Sequence, residues 1–140
     1  MDGDILPAHD TLTRLLAAQV PIISGVYRKR IPPHEPMAFK FLGKNKTLKP
    51  ISSTIKTTTE VDVVGGGCLL IERRVFEKIK GPWFTSEWTS MGHLSEDFSF
   101  CQKAKKAGFK IFADPKVNPL HIEPMGIGND HNKVSFISLS

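Results

Sequence analysis

Apolar residues in this chain follow two kinds of spacing, which predict strands separated by helices. Strand patterns of apolar and β-branched residues occupy 20–27, 60–64, 68–71 and 109–113. Helical spacing occupies 73–79 and 96–107, and the second helix is expected to begin at the N-cap residue Ser95 and end before Gly108. Strands that alternate with helices indicate an α/β fold, and we expect a single domain over 1–140.

A shorter helix is predicted near the N-terminus. Asp10 or Thr11 can cap it, and Leu12, Leu15 and Leu16 fall on one of its faces. Before it, residues 1–6 have the pattern of a strand end that Pro7 terminates.

Two segments break the alternation of strands and helices. Residues 28–59 are rich in Lys, Thr and Pro, and we interpret them as a long loop excursion with one short hairpin. Residues 123–140 form a polar tail in which 134–137 predict a short edge strand.

The composition favours an anionic partner without choosing one. The net charge is +5 and the isoelectric point is near 9.3, which suits nucleic acid, a lipid headgroup or a phosphorylated small molecule.

The apolar surroundings of Cys68 and Cys101 predict buried free thiols, in keeping with a reducing cytosol. We therefore expect a cytoplasmic protein, or one peripheral at the cytoplasmic membrane face, since no apolar run approaches the roughly 20 residues of a membrane span.

Asp2 and Asp4 are the first candidate site. Their i, i+2 spacing at a strand end would point both carboxylates to one side, and hard oxygen ligands suit Mg²⁺ or Mn²⁺. The alternative is an ordinary acidic turn. His121, which follows a predicted strand, is a third possible metal ligand if the fold brings it beside Asp4.

Glu96 and Asp97 are the second candidate site. Acids in the first turn of a helix usually stabilise its positive end. A carboxylate fixed at a helix mouth and facing a cleft can also act as a general base. Asp97 is the candidate base, and Glu96 would assist it or bind the acceptor.

Two further groups are candidates for ligand contact. Gly65, Gly66 and Gly67, followed by Cys68, allow a ligand to approach the backbone closely, or form a simple bulge. Trp83 and Trp88 lie in an aromatic loop whose flat faces can stack on sugar rings, or pack as a small satellite cluster.

Taken in order, these motifs resemble the family 2 glycosyltransferases and their GT-A-fold relatives. The resemblance covers nearly all of residues 1–122. The residues that carry it are Asp2-Gly3-Asp4-Ile5, Ile23 to Tyr27, Gly65 to Ile71 with Arg73 to Phe76, Ser95-Glu96-Asp97, Ala107 to Ile111, and Asp114-Pro115 before His121.

The resemblance implies a mixed sheet flanked by helices and a transfer reaction. A sugar would pass from a nucleotide-diphospho-sugar donor to a hydroxyl of a glycan, lipid or protein acceptor, with inversion. Mn²⁺ or Mg²⁺ would be held by Asp2 and Asp4, with His121 as a looser match, and Asp97 would be the base. Gly65 to Cys68 would line the donor sugar, and Trp88 with its neighbours would face the acceptor.

In that family the nucleotide-binding strands precede the Asp-x-Asp motif, whereas here only Met1 precedes it. We therefore expect a partial GT-A fold that lacks most of the donor site and binds nucleotide-sugar poorly as an isolated chain. The sheet edge left without those strands would be exposed and could mediate self-association.

Two other function classes stay open. A non-catalytic basic α/β module would bind polyanion or nucleic acid through Arg28 to Arg30 and the lysines of 40–49. The basic and aromatic residues are not interleaved in a recognisable nucleic-acid-binding motif, so nucleic acid is not the expected partner. A sugar nucleotidyltransferase shares the metal and donor chemistry, but would need an upstream phosphate loop and would release pyrophosphate.

Overall fold

The computed structural model describes residues 1–90 and 92–122, together with the backbone of 125–130 and 133–138. These parts contain short strands, three helices and one 3₁₀ turn. The helices are α1 (Thr11–Ala17), α2 (Arg73–Lys78) and α3 (Glu96–Lys106), and the 3₁₀ turn is Gly66–Cys68. The strands are β1 (Ile5–Leu6), β2 (Ile22–Gly25), β3 (Ala38–Leu42), β4 (Thr47–Pro50), β5 (Thr59–Val61), β6 (Val63–Val64), β7 (Leu69–Ile71), β8 (Glu87–Thr89), β9 (Gly92–Leu94), β10 (Ile111–Asp114), β11 (Leu120–His121), β12 (Met125–Asp130) and β13 (Lys133–Ser138).

A mixed sheet in the order β5-β10-β2-β7 forms the centre of the molecule. β10 runs parallel to β2, whereas β5 and β7 are antiparallel to their neighbours. All four residues of β2 are buried, as its continuous apolar run predicts for a central strand. The α/β class is therefore confirmed.

The main core lies between this sheet and α3. Phe100, Cys101 and Ala104 of α3 are fully buried against residues of the sheet and of the 28–59 segment. Gly108 ends the helix with φ of +89°, a conformation that glycine adopts without strain. Ser95 caps the other end by accepting a hydrogen bond from the Phe98 N–H.

The 28–59 segment contains the expected hairpin, formed by β3 and β4. β3 also pairs with β6, and Ala38 and Ile51 are buried in the core cluster that contains Phe100. The segment is therefore part of the packed domain and not only an excursion from it.

The prediction for α1 was only partly right. Leu15 is buried, but Leu12 and Leu16 are 59% and 57% exposed, so these three leucines do not share one buried face. Thr11 takes the second buried position instead. Asp10 precedes the helix, but its carboxylate pairs with Arg14 and does not cap the first turn.

The strand expected over residues 1–6 is also shorter than predicted. Gly3 and Asp4 lie in a turn closed by the Ile5 N–H, which donates to the Asp2 carbonyl at 3.2 Å. Only Ile5 and Leu6 are extended, and they pair with β11. The acids are therefore presented by a turn before the strand.

Three other expectations concern the thiols, the sheet edge and the tail. Cys68 and Cys101 are free and buried, as predicted. β7 is the last strand on its side of the central sheet in the described residues, and its residues are half-buried. The tail strand predicted at 134–137 falls within β13, which pairs with β12.

Within 1–90 and 92–122, no helix is long and apolar enough to cross a membrane.

Candidate active site

Asp97 lies in the first turn of α3, against the glycine-rich 3₁₀ turn. Its side chain is half-buried and lies beside the Gly66 N–H, which acts to lower the pKa of the carboxyl. A Cβ atom on Gly66 would lie 2.6 Å from the Asp97 Oδ1, so the carboxylate occupies space that any other residue at 66 would fill. This close approach explains why a glycine suits position 66, and it restricts the Asp97 carboxylate on that side.

The surroundings of Asp97 raise the pKa of its carboxyl above the ordinary value. Burial is the largest cause, and the negative charges of Glu96 and Asp2 add to it, while the hydrogen bond from Gly66 acts in the opposite direction. A raised pKa makes a carboxylate a stronger base once it is ionised. The effect of Asp2 also shows that this one acid of the Asp-x-Asp motif lies within electrostatic reach of Asp97.

Tyr27 connects the glycine turn to the N-terminal acids. Its buried hydroxyl accepts a hydrogen bond from the Gly67 N–H at 2.9 Å. Burial raises the pKa of Tyr27 to about 12; the Gly67 hydrogen bond opposes this, and the charges of Asp97 and Asp2 add to it. The Tyr27 ring also meets His121 edge-on, with centroids 5.5 Å apart.

The two acids of the Asp-x-Asp motif point to different partners. The Asp2 N–H donates to the Gly67 carbonyl at 3.2 Å, which places Asp2 beside the glycine turn. The Asp4 carboxylate instead contacts His121, whose Nε2 lies 3.3 Å from Asp4 Oδ2. The structure thus brings His121 to Asp4, as the sequence suggested, but on the opposite strand of the β1–β11 pair.

The His121 ring is held in one tautomer. Its Nδ1 lies 2.8 Å from the Arg28 carbonyl oxygen, which can only accept, so Nδ1 carries the proton. In a neutral ring, Nε2 would then turn a lone pair towards the Asp4 carboxylate. This leaves Nε2 as the nitrogen that a cation could reach, and a backbone bond at the other nitrogen is typical of metal-binding histidines.

Asp4 and His121 therefore fit a divalent cation by their chemistry. A positive group already contacts the same oxygen, since Arg30 Nη1 lies 3.5 Å from Asp4 Oδ2. Among the described residues, no three His, Cys, Asp or Glu side chains are grouped closely enough to hold a metal ion by themselves. Any cation here would need further ligands from a bound molecule or water, as Mg²⁺ usually does.

Three clefts adjoin one another along this face. The His121 cleft, of about 340 Å³, and the Asp97 cleft, of about 420 Å³, share Lys29. The Asp97 cleft shares Ser95 and Phe98 with a third, the hairpin cleft, of about 520 Å³ beside β8 and β9. The candidate base thus lies in the middle cleft, with the His121 cleft on one side and the hairpin cleft on the other.

The two tryptophans differ in their surroundings, since Trp83 is packed and Trp88 is exposed. Trp83 donates from its indole N–H to the Ile79 carbonyl at 2.7 Å and packs on Phe76, which makes it part of a satellite cluster. Trp88 is 83% exposed on the β8–β9 hairpin, where its ring lies 5.1 Å from that of His93. Trp88 is therefore the more accessible of the two for an acceptor.

The remaining candidates have distinct places. Glu96 is exposed beside Asp97. Gly65 and Gly67 both lie against Tyr27, where an added Cβ would meet the ring or its hydroxyl. Cys68 is fully buried, and its carbonyl accepts a hydrogen bond from Ser24, so it supports the turn from the core side.

Tyr27, Lys29 and Arg30 are site residues that the motifs did not single out for this chemistry. Tyr27 is the chain's one tyrosine and lies two residues after β2, a strand whose four residues are all buried, which was a usable signal. Lys29 and Arg30 stood out only as local positive charge, because their proximity to Asp4 and Asp97 depends on the loop that folds back from Arg28 to Pro36.

Comparison with protein-family models and with curated proteins finds no match for this chain. Among solved structures, the chain is similar to the viral protein in "Crystal Structure of A197 from STIV", with a TM-score of 0.64 and 20% identity. The match covers 98% of this chain and 63% of that chain, so this chain spans less than two thirds of A197. At this identity the similarity shows a shared α/β fold.

Proposed function

We propose that this chain is the catalytic half of a metal-dependent, inverting glycosyltransferase with a GT-A type of fold. The donor would be a nucleotide-diphospho-sugar and the acceptor a hydroxyl of a glycan, lipid or protein. The observation that carries the proposal is the half-buried Asp97 carboxylate, whose pKa is raised and which lines a cleft that shares Lys29 with the cleft at His121.

Asp97 is suited to remove the proton from the acceptor hydroxyl. The hydroxyl oxygen would then form a bond to the anomeric carbon while the bond from that carbon to the diphosphate oxygen breaks. The proton remains on Asp97 and the nucleoside diphosphate leaves with its negative charge. The close approach of Gly66 restricts the carboxylate on one side, which favours the fixed geometry that a general base needs.

A divalent cation, when bound, would neutralise the negative charge that develops on the leaving diphosphate. Asp4 and His121 would hold it, and Asp2 lies close enough to the glycine turn to add to the negative field. The His121 cleft is lined by Arg28, Lys29 and Arg30 and suits the diphosphate. The hairpin cleft, with Phe41, Leu94 and Phe98, suits an acceptor that has an apolar part.

Asp97→Asn tests this function most directly. The chain is incubated with Mn²⁺, a panel of nucleotide-diphospho-sugars and a panel of glycan and lipid acceptors, and release of nucleoside diphosphate is measured. The variant preserves the shape of the side chain and an oxygen that can accept from Gly66. We expect it to lose about 10²- to 10⁴-fold in turnover, the usual contribution of a general base, while donor binding is retained.

Glu77→Gln is the matched control. Glu77 is exposed on α2, where it pairs with Arg73, so its neutralisation changes the net charge equally without touching the clefts. Turnover by Asp97→Asn at a rate close to that of the unmodified chain would reject Asp97 as the base. Release of pyrophosphate in place of a nucleoside diphosphate would indicate nucleotidyl transfer.

One observation favours a second candidate, the basic binding module. A fourth cleft, of about 260 Å³, shares Arg28 with the His121 cleft and is also lined by Lys56 and Lys116, and by no carboxylate among the described residues. Such a cleft suits an anionic polymer. Binding to single-stranded nucleic acid or heparin that falls steeply with salt, without any sugar transfer, would support this candidate over the enzyme.

A further inference from the structure

Arg30 is the positive group closest to the candidate cation site. Its Nη1 lies 3.5 Å from Asp4 Oδ2, the same oxygen that His121 approaches. Arg30 follows Lys29 in a loop whose ends are joined by the Arg28–Pro36 bridge and by the Lys29–Glu35 ion pair. The loop therefore holds the guanidinium at the mouth of the His121 cleft.

The contact between Arg30 and Asp4 is weak and easily replaced. Their side chains are each 40% exposed, and ion pairs of this kind contribute little because water and salt screen them. A divalent cation at Asp4 would repel the guanidinium and compete for the same oxygen. Arg30 lines a cleft with two other cationic side chains and His121, so a released guanidinium has an anion-binding surface beside it.

We infer that Arg30 is a positioning residue that alternates between two partners. Before the ligands bind, it neutralises Asp4 in place of the cation. Once a cation occupies Asp4, Arg30 turns to the diphosphate of the donor, for which its planar fork is well suited. This inference rests on the proposed function, since it assigns the cation and the diphosphate to neighbouring positions in the same site.

The test measures two affinities that should move in opposite directions. Binding of Mn²⁺ alone and of the manganese–pyrophosphate complex is measured by calorimetry, without any sugar transfer, for the unmodified chain and for Arg30→Gln. Removing the competitor should tighten Mn²⁺ binding by about three- to fivefold, the effect of one exposed ion pair. Losing a guanidinium contact should weaken binding of the pyrophosphate complex by about tenfold.

Arg73→Gln and Arg30→Lys are the controls. Arg73 is 91% exposed on α2 and pairs with Glu77, so its loss changes the net charge alone and should leave both affinities unchanged. Arg30→Lys keeps the charge, so Mn²⁺ affinity should stay near that of the unmodified chain while part of the pyrophosphate affinity is lost. Melting curves check that each variant is folded.

The outcomes separate this inference from the function on which it rests. Unchanged affinities in Arg30→Gln, a shift of both in the same direction, or equal shifts in Arg73→Gln would overturn the role of Arg30 and leave the glycosyltransferase proposal standing. If the unmodified chain binds no Mn²⁺, or if Asp4→Ala binds it equally well, the cation site itself is wrong and both proposals fall together.

Discussion

The two sides of Tyr27 are organised in opposite ways. On one side, Asp97 is half-buried and its carboxylate lies against Gly66. On the other, Asp4 is 40% exposed and surrounded by His121 and Arg30, at 3.3 and 3.5 Å from one oxygen. The Asp97 carboxylate is held by packing, whereas the exposed Asp4 carboxylate is held by its charged or polar partners.

This difference matches the chemistry that we propose for each side. A base must be positioned before the substrate arrives, because a small displacement removes most of its benefit. A group that binds a cation and a diphosphate can be completed by those ligands, and exposed charges exchange partners at little cost. The comparison therefore predicts that small changes near Asp97 have large effects, and that changes near Asp4 act through ligand affinity.

Gly66→Ala should give the largest effect among changes that keep the Asp97 carboxylate. The new Cβ would lie 2.6 Å from Asp97 Oδ1, the end of a side chain that can rotate away. We expect turnover to fall by about 100-fold, as for a misplacement of roughly 1 Å, with little change in the free energy of unfolding. Nucleoside diphosphate release and urea denaturation measure the two quantities.

Gly67→Ala is the contrasting variant. Its Cβ would lie 2.6 Å from Cζ of Tyr27, whose ring is 6% exposed and packs in a core cluster with Ile5 and Val117. Overpacking of this kind typically costs about 1–3 kcal/mol of stability. If Gly66→Ala destabilises the chain as much as Gly67→Ala does, the close approach of Asp97 is a packing contact and not a device for positioning a base.

Tyr27→Phe tests the element that joins the two sides. The variant keeps the ring but leaves the Gly67 N–H, which now donates to the hydroxyl at 2.9 Å, without its acceptor in a buried position. The expected loss is about 1–3 kcal/mol in the free energy of unfolding, measured in urea. Ser86→Ala removes an exposed hydrogen bond to His93 and should cost about 0.5 kcal/mol or less. Equal losses in the two variants would contradict the role of Tyr27.

Burial patterns determined which parts of the fold could be predicted. β2, β7 and α3 have continuous or helical apolar spacing, and each was placed to within about two or three residues. The face of α1 was mistaken because Leu12 and Leu16 are apolar yet exposed, and a single-sequence pattern cannot distinguish such residues from core. The bounds of the N-terminal strand were mistaken because its register is set by β11, more than 100 residues away in the chain.

The candidate site was predictable where one short segment defines it. Asp97 follows a recognisable N-cap, so its place at a helix mouth could be read locally. The contact of His121 with Asp4 was stated only as a condition, since it depends on the pairing of β1 with β11. The approach of Arg30 to Asp4 was not foreseen, because it needs both that pairing and the loop from Arg28 to Pro36.

The smallest expected effect concerns stability and pH. Folding raises the pKa of Asp97 above its ordinary value of 3.8, chiefly through burial, so the folded state binds this proton more tightly than the unfolded state. The protonated Asp97 carboxyl therefore contributes its full share to stability below the pKa of the unfolded state. This share is lost as the pH rises through the pKa of the folded state. Asp97→Asn removes this loss, so its melting temperature should exceed that of the unmodified chain at pH 7 and equal it near pH 3, a range that differential scanning calorimetry can follow. A lower melting temperature for the variant at pH 7 would mean that the ionised carboxylate stabilises α3 and the glycine turn more than burial penalises it, and Asp97 would then be explained as a helix-stabilising acid.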